Sequence, residues 1–545
     1  MRARSVHALI TLACASPLAA QVFAIELARP LPIHSQARIN DPRSHGQVGD
    51  QYLSLREAIL LTNRQLDENS LSPAEFAQLG GFGTDIAWAD IDARVVPVIT
   101  LEAELPLILD SSHGFTLNGS NGIPTLELGD TRGLVAESNF VDFSNLHLHG
   151  GERGISITQT DTLFGSLVSN VEFDGQGISG LQLASLTPNA AGRLQVNNCR
   201  FRGLPTAMLV LEAGSGRTSQ LEIFGDTWME ACGIGLDLRL GSGGSQTLYL
   251  NGVVSRGCTE AFRVLALAAP RRSLAIDARY CGLVGTGSGM TIQGSPVGNT
   301  LATLQACELG GSPALDIGPL GSRADITLQD SRVHGDLFFH GGATGKLVVD
   351  NCDVDGGHAD LGSTGAPLTI ANSVFAQVDI ATLGTIGVTF RDSRAIGGTF
   401  SGSASATLTV QDSHLAGTTV GAGVTVLRPL SAAPLGTFDA QPAEPPLGTT
   451  LTVGVDLPPN LAAVIAFGRT LEYGTTVSGL RFYADSGSLV FLPGSYAGQS
   501  SLPLPIPNLA ALRNLDLFFQ PIVLAQPGSG LPTRALPPGR RVRLR

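Results

Sequence analysis

Five short segments in the second half of the chain repeat one pattern at nearly constant spacing. Their small central residues are Ser331, Cys352, Ser373, Ser393 and Ser413, which follow one another at almost equal intervals. A repeat this short, built from β-formers and turn residues, is typical of a solenoid in which each coil packs only against its neighbours. Further copies are centred upstream, at Asn145, Asn170, Cys199 and Cys307. The sequence therefore predicts an all-β solenoid.

Each position of the repeat has a physical role. Alternate residues of a strand point to the same side, so the paired apolar positions are predicted to face inward. These pairs are Leu347 and Val349, Leu368 and Ile370, Val388 and Phe390, and Leu408 and Val410. The small position, which holds either Ser or Cys, is predicted to pack inside a crowded bend, because a buried thiol behaves as a small hydrophobe.

An Asn or Asp precedes the small residue in every regular copy: Asp330, Asn351, Asn372, Asp392 and Asp412. These residue types tolerate the left-handed backbone conformation, so they are predicted to bend the chain between strands and to form side-chain ladders. A calcium site made from Asp330, Asp392 and Asp412 is the alternative. Because Asn351 and Asn372 intervene, the sequence favours the structural bend, and no metal or cofactor is predicted.

Cysteine usage points to packing more than to chemistry. The chain has no CxxC pair and no Cys/His cluster of the kind that binds zinc. Cys232 and Cys258 begin the similar segments CGIGLDL and CTEAFRV. If those segments stack on adjacent coils, the two sulfurs come within disulfide range, so a disulfide between them is a hypothesis.

Residues 1–24 have the pattern of a secretory signal peptide: Arg2 and Arg4, a short apolar core, and a small-residue cleavage site ending at Ala24. Lipidation of Cys14 is the alternative interpretation. No later segment offers about 20 uninterrupted apolar residues, so no transmembrane segment is expected in the mature chain. The net charge of −12 argues against nucleic acid as a partner, because phosphate contacts need basic patches. We expect a secreted or cell-surface protein.

A short helix is predicted to cover the first coil. Ser54 and Glu57 form an S-x-x-E capping box, and Leu55, Ala58, Ile59 and Thr62 follow at helical spacing. The string Ser54-Leu-Arg-Glu-Ala-Ile59 also resembles the signature of exported bacterial right-handed β-helix proteins (the CSLREA type), which are related to polymorphic outer-membrane proteins. Leu53 stands where that family often has Cys. The resemblance continues through VITLEAELPLI, residues 98–108.

This resemblance implies a right-handed parallel β-helix of the pectin-lyase-like type and export, but no single reaction. The predicted organisation is a cap region over 25–98, the β-helix over 99–428, a Pro-rich linker over 429–448 and a C-terminal module over 449–545. Short β-like runs separated by turns predict that the module is a small antiparallel β-sandwich.

Two functions compete. The first is a non-catalytic, adhesin-like protein that presents a repetitive surface to glycans, cells or the envelope; the chain has no nucleophile elbow, phosphate loop or metal-ligand cluster. The second is a polysaccharide lyase or glycoside hydrolase, which needs paired carboxylates or a base next to a cation.

No catalytic residue can be assigned from the sequence. The outward positions of the repeat carry charges that predict a weak surface ladder: Glu308, Arg332, Asp353, Arg394 and His414. A ligand-binding or catalytic strip including His334, Asp355, His340 and His358 is the alternative. Trp88 and Trp228, the only tryptophans, are the scarce aromatic candidates for stacking on sugars.

Overall fold

A computed structural model describes residues 35–545, apart from the segments 81–85, 110–113, 139, 160–162, 186–190, 213–217, 241–244, 267–271, 295–297, 319–322, 340–343, 361–367, 383–386, 392, 403–406, 412, 423, 428–436, 443, 458–461, 478–479, 485–489, 514, 525–533 and 536–539. From Ser35 to Leu427 the chain winds as a parallel β-solenoid, and antiparallel sheets follow from Thr437. The predicted all-β fold and its parallel repeat architecture are confirmed.

Three stacks of parallel strands build the solenoid, and each strand is bonded to the equivalent strands of the coils before and after it. The first stack contains Ser35–Ile39, Ile86–Asp92, Phe115–Ser120, the starts of Val141–Gly150 and Leu163–Asp174, Ala191–Asn197, Thr218–Phe224, Ser245–Asn251, Arg272–Arg279, Gly298–Gln305, Arg323–Gln329, Thr344–Asp350, Leu368–Ala371, Gly387–Arg391, Thr407–Gln411 and Thr425–Leu427. We call its outer surface face 1.

The second stack, whose outer surface is face 2, follows a bend in each coil. It contains Val98–Thr100, Thr125–Gly129, the ends of Val141–Gly150 and Leu163–Asp174, Arg200–Arg202, Trp228–Glu230, the starts of Val254–Ala266, Gly282–Gly294, Glu308–Ile317, Arg332–Phe339, Asp353–Asp360 and Val374–Thr382, Arg394–Ile396 and His414–Ala416.

The third stack, whose outer surface is face 3, closes each coil. It contains Ile108–Leu109, Leu134–Glu137, Arg153–Gln159, Ser179–Ser185, Thr206–Glu212, Ile234–Leu240, the ends of the six strands that turn in from the second stack, Thr399–Gly402 and Thr419–Val420.

The interior of the solenoid is filled by the inward-facing apolar columns. The predicted pairs from Leu347 to Val410 are all buried, with at most 4% of any of these side chains exposed. The rings of Phe173 and Phe201 stack on successive coils with their centroids 4.6 Å apart. Because each coil covers the apolar face of the next, the whole solenoid shares one continuous core.

The bends between the first and second stacks have the predicted left-handed conformation. The backbone angle φ lies between +51° and +57° at Asn145, Asn170, Asn198, Asp330, Asn351 and Asn372. Tyr280 and Ala306 occupy the same bend with φ of 55° and 54°, although neither residue type favours it. The predicted ladder is present where Asn170 donates to Asn145 and where Asn351 donates to Asp330, each at 2.7 Å.

The Asn/Asp ladder in the bends does not support a calcium site made from Asp330, Asp392 and Asp412. The Asp330 carboxylate accepts a hydrogen bond from the Asn351 amide at 2.7 Å, which is a structural role. Asp392 and Asp412 lie outside the described residues.

The small position of the repeat is buried as predicted, but Ser does more there than fill space. The Ser331 hydroxyl accepts the backbone N–H of Cys307 at 3.1 Å and donates to the carbonyl of Gln329 at 2.7 Å. The Ser373 and Ser393 hydroxyls make the equivalent pairs of bonds. A column of hydroxyls and thiols therefore satisfies backbone groups that the bend would otherwise leave unpaired.

The described cysteines are all buried and reduced: Cys199, Cys232, Cys258, Cys281, Cys307 and Cys352. The hypothesised disulfide between Cys232 and Cys258 is absent from the structure. Each thiol donates to a backbone carbonyl, Cys232 to that of Glu230 at 3.5 Å and Cys258 to that of Met229 at 3.4 Å, and the neighbouring Cys232 thiol lowers the pKa of Cys258. The two segments are therefore stacked as predicted, without a covalent link.

The predicted capping helix spans Leu55–Thr62, and both bonds of the Ser54–Glu57 capping box are present. Its apolar side packs on the first coils and belongs to the solenoid core. A short helix at Pro73–Phe76, a 3-10 turn at Glu68–Ser70 and the strand Leu79–Gly80 complete the region. Two strands of the first stack, Ser35–Ile39 and Ile86–Asp92, precede residue 99, so the stack extends into the segment predicted as the cap.

The C-terminal part of the chain forms two antiparallel sheets. One contains Thr437–Gln441, Thr450–Asp456 and Gln499–Pro505. The other contains Ala462–Val477, Leu480–Ala484, Val490–Phe491, Tyr496–Ala497, Asp516–Leu524, Arg534–Ala535 and Arg540–Arg543, and a 3-10 turn spans Ala510–Leu512. Side chains of both sheets meet in a separate buried cluster. In the described part of the chain, none of the helices is long and apolar enough to cross a membrane.

Candidate functional site

A shallow cavity of about 290 Å³ opens on face 1, where the coils are longest. We call it the Tyr249 concavity and define it by Arg193, Gln220, Glu222, Tyr249, Asp277 and Arg279. The left-handed bend recurs in this region at Asn170, Asn198, Gly225, Gly252 and Tyr280. These bends are spaced more widely along the chain than the later ones at Asp330, Asn351 and Asn372, so the cavity lies in the wider part of the solenoid.

The strand register aligns Glu222, Tyr249 and Asp277 in one outward column on three successive coils. Their neighbours Leu221 and Ile223, Leu248 and Leu250, and Ile276 and Ala278 face the core. Neighbouring strands lie about 4.8 Å apart, so the Cα atoms of the two acidic residues are roughly 10 Å apart with Tyr249 between them. Tyr249 is 37% exposed, so its ring is open to a ligand in the cavity.

Every charge of the concavity is paired. Arg193 Nη2 donates to Glu222 Oε2 at 2.5 Å, and the Gln195 and Gln220 amides also donate to the Glu222 carboxylate. Arg279 donates two hydrogen bonds to the Asp277 carboxylate, both at 2.9 Å. Glu222 itself is only 4% exposed, so these donors fix its orientation at the cavity floor.

A second polar group lies on face 2, and we call it the His147 cluster: Glu127, His147, His149 and Asp174. His147 and His149 point outward from one strand, on either side of the buried Leu148. Asp174 of the next coil pairs with both: its Oδ1 lies 3.2 Å from His147 Nε2 and 2.7 Å from His149 Nδ1. On the preceding coil, Glu127 lies 4.0 Å from His149 Nε2.

The Asp174 carboxylate hydrogen-bonds to His149 and thereby raises the pKa of this imidazole above its usual value, although partial burial opposes the shift. Arg200 and Arg202 follow Glu172 and Asp174 on the next coil. The cluster thus places a titrating imidazole and a carboxylate one coil away from cations, which is an arrangement suited to proton transfer on an anionic substrate. Among the described residues, no group of three His, Cys, Asp or Glu side chains is arranged to hold a metal ion.

The structure brings together some of the outward residues predicted from the sequence. His334 Nδ1 lies 2.6 Å from Asp355 Oδ1 on the adjacent coil, and Glu308, Arg332 and Asp353 occupy one column on face 2. His358 is separate from that pair, because its ring lies against Phe338 with the centroids 6.3 Å apart. His340 lies outside the described residues.

Arg394 and His414 continue the same column of face 2 on later coils. The two tryptophans lie on different faces. Trp88 belongs to the first stack and is 38% exposed, whereas Trp228 belongs to the second stack beside Arg200. Neither lines the Tyr249 concavity.

Sequence reasoning missed both polar groups. The Tyr249 concavity lies where the repeat is least regular, because the bend residues there are Gly or Tyr in place of Asn or Asp. The signal that identifies it is the alternation of inward and outward residues along a strand. Leu248 and Leu250 face inward, so Tyr249 between them must face outward. The same alternation in the sequence His147-Leu-His149 places both imidazoles on face 2.

Comparison of the sequence with models of known protein families finds no match, and comparison with curated proteins finds none either. The Tyr249 concavity and the His147 cluster are therefore the features of the molecule that bear on its function.

Proposed function

We propose that the protein is an exported right-handed parallel β-helix that binds carbohydrate outside the cell or at its surface, with a C-terminal β-sandwich module. The observation that carries the proposal is the Tyr249 concavity, in which an exposed aromatic ring lies between two oriented carboxylates. Carbohydrate sites combine an apolar platform with a few fixed polar groups, and this combination is what the concavity offers. Support for export comes from residues 1–24 and from the resemblance at Ser54 to Ile59.

Affinity gel electrophoresis of the full chain through a panel of soluble polysaccharides tests this proposal. We expect at least one polysaccharide to retard the protein, and excess free polymer to restore its mobility. Normal mobility with every polymer of the panel would contradict the proposal. Export is tested separately, by mass analysis of the secreted chain, where a mature N-terminus beginning after Ala24 is the expected result.

A polysaccharide lyase or hydrolase is the second candidate, and the His147 cluster is the observation that favours it. A lyase would use an imidazole to remove the proton next to a uronate carboxylate, and Arg200 lies where it would neutralise that carboxylate. Arg202 is already paired with Glu230 at 3.3 Å. Reducing-sugar and unsaturated-uronate assays across acidic polymers test this function.

Matched variants sharpen that test. His149→Ala and Asp174→Asn should abolish any activity. His334→Ala is the matched control: His334 and Asp355 form an equivalent pair on later coils of face 2, outside the His147 cluster, so this variant should leave the activity unchanged. Activity that survives His149→Ala would contradict the assignment, and silence with all polymers would leave carbohydrate binding without catalysis.

A further inference from the structure

The concavity on face 1 has no net charge. Arg193 is hydrogen-bonded to Glu222, and Arg279 is hydrogen-bonded to Asp277. The polar residues next to these pairs in the same columns are uncharged: Gln195, Gln220, Thr247, Asn251 and Thr303. A ligand that enters the concavity therefore meets two neutralised ion pairs, amides, hydroxyls and the rings of Tyr249 and Phe224.

We propose that the Tyr249 concavity takes a neutral polysaccharide, in which a sugar ring packs on Tyr249 and its hydroxyl groups donate to Glu222 and Asp277. This inference rests on the proposed carbohydrate binding and adds the class of the ligand and its direction. Because the three residues form one column across three coils, the bound chain crosses the strands and follows the long axis of the solenoid.

The paired arginines are the reason to prefer a neutral ligand. A uronate carboxylate is bound by a guanidinium whose forked donors are available to it. Both Asp277 bonds come from Arg279, and Arg193 is directed at Glu222, so a second carboxylate would have to break a pair that is already formed. Sugar hydroxyls need no such exchange, because a carboxylate that accepts from Arg or Gln still has lone pairs for hydroxyl donors.

The Tyr249 side chain supplies most of the contact. With 37% of its surface exposed it resembles Trp88, which is 38% exposed on the same face but lies on an early coil, away from the concavity. Trp88 lies in the same outward column as Tyr249 but six coils earlier, roughly 29 Å away. Its removal deletes an exposed aromatic residue of face 1 outside the three coils that form the proposed site, which makes it a matched control.

The experiment uses the full chain and four soluble polymers: xyloglucan and galactomannan as neutral chains, and polygalacturonate and alginate as acidic ones. Affinity gel electrophoresis gives the apparent dissociation constants of the wild type, Tyr249→Ala, Tyr249→Phe and Trp88→Ala. We expect a neutral polymer to bind, Tyr249→Ala to weaken this binding about tenfold, and Tyr249→Phe and Trp88→Ala to change it less than about twofold. Circular dichroism confirms that each variant is folded.

The outcomes separate this inference from the function on which it rests. Binding of only the acidic polymers would overturn the neutral ligand and leave carbohydrate binding in place. Binding of a neutral polymer that is insensitive to Tyr249→Ala would overturn the site. The absence of binding to all four polymers, and to the wider panel, would overturn both proposals.

Discussion

The hydroxyl of Ser373 accepts the backbone N–H of Cys352 from the preceding coil at 3.0 Å. It also donates to the carbonyl of Ala371 at 2.6 Å, so one side chain satisfies a donor and an acceptor inside the bend. Ser331 and Ser393 repeat this arrangement, which links consecutive coils through their interior.

Replacing Ser373 with alanine should therefore destabilise the solenoid by about 1–3 kcal/mol, because it leaves a buried N–H without a partner. Ser373→Cys should cost less, since a thiol occupies the same position at Cys352. Urea unfolding of the full chain gives the stabilities, and hydrogen exchange at the Cys352 amide locates the effect. Equal stability of the alanine variant and the wild type would contradict the proposed role of the ladder.

Asp237 is a buried carboxylate on face 3 that pairs with Arg239 at 2.9 Å and with Arg263 at 2.8 Å. Burial by itself would raise its pKa, but hydrogen bonds from Arg263 and Arg239 outweigh burial and hold the pKa below its usual value. We expect Asp237→Ala to cost about 3 kcal/mol at pH 7, measured by urea unfolding, because Arg239 loses this partner and Arg263 keeps only Glu260, at 3.2 Å.

The pH dependence of this pair has a definite sign. The pKa of Asp237 is lower in the folded protein than in the unfolded chain, where it is about 4. The ionised carboxylate therefore contributes stability above about pH 4, and this stability is lost as the pH falls through the folded pKa. Acid should therefore destabilise the wild type more than Asp237→Asn below about pH 4. A wild type and variant with parallel acid unfolding curves would show that the pair carries no linkage.

His149 titrates in a different range. The hydrogen bond with Asp174 raises the pKa of His149 above that of the unfolded chain, which is about 6.5. The protonated imidazole therefore contributes stability below about pH 6.5, and this stability is lost as the pH rises through the folded pKa. NMR titration should give His149 a pKa above about 6.5, and Asp174→Asn should return it toward that value. A His149 titration that is the same in Asp174→Asn and the wild type would contradict the assigned cause.

The capping box gives a prediction for the N-terminal helix. Glu57 Oε2 accepts from both the backbone N–H and the hydroxyl of Ser54 at 2.8 Å, while the buried Oε1 has no hydrogen-bond partner among the described residues. Burial therefore raises the pKa of Glu57 despite these bonds. Ser54→Ala should weaken the helix by about 1 kcal/mol, which hydrogen exchange of the Leu55–Thr62 amides can measure.

The raised pKa of Glu57 means that protonation stabilises the cap, and that this stability is lost as the pH rises through the folded pKa. Exchange protection of the helix should accordingly fall between acidic and neutral pH. Glu57→Gln removes the charge and should flatten this dependence. An unchanged pH profile in Glu57→Gln would assign the effect to another group.

The sequence predicted the solenoid because its columns have strict chemical requirements. Leu347, Val349 and the later apolar pairs must be buried, and the left-handed bend selects Asn351 and Asn372, so both features recur at a fixed spacing. The capping box was predictable for the same reason, since its two bonds require Ser and Glu at the positions that Ser54 and Glu57 hold.

The candidate sites were not predictable, because outward positions obey no such requirement. Tyr249 and Asp277 meet only because two longer coils align them, and coil length varies where Gly225 and Gly252 replace the usual bend residue. The hydroxyl ladder was also missed, since a Ser that alternates with Cys suggests only a small buried side chain. The ladder of Glu308, Arg332 and Asp353, in contrast, was correctly predicted where the coils are regular.

Backbone hydrogen bonds between successive coils all run along the solenoid, and each coil is bonded only to its two neighbours. A tensile force on the two chain ends therefore acts on the outermost coil first and reaches the next only after that coil has peeled away. The resisting force is that of one coil, however many coils the protein has. Release of a single coil, such as the one from Asp330 to Asn351, lengthens the chain by roughly 70 Å. The solenoid should accordingly yield in small steps under load and act as a graded mechanical tether.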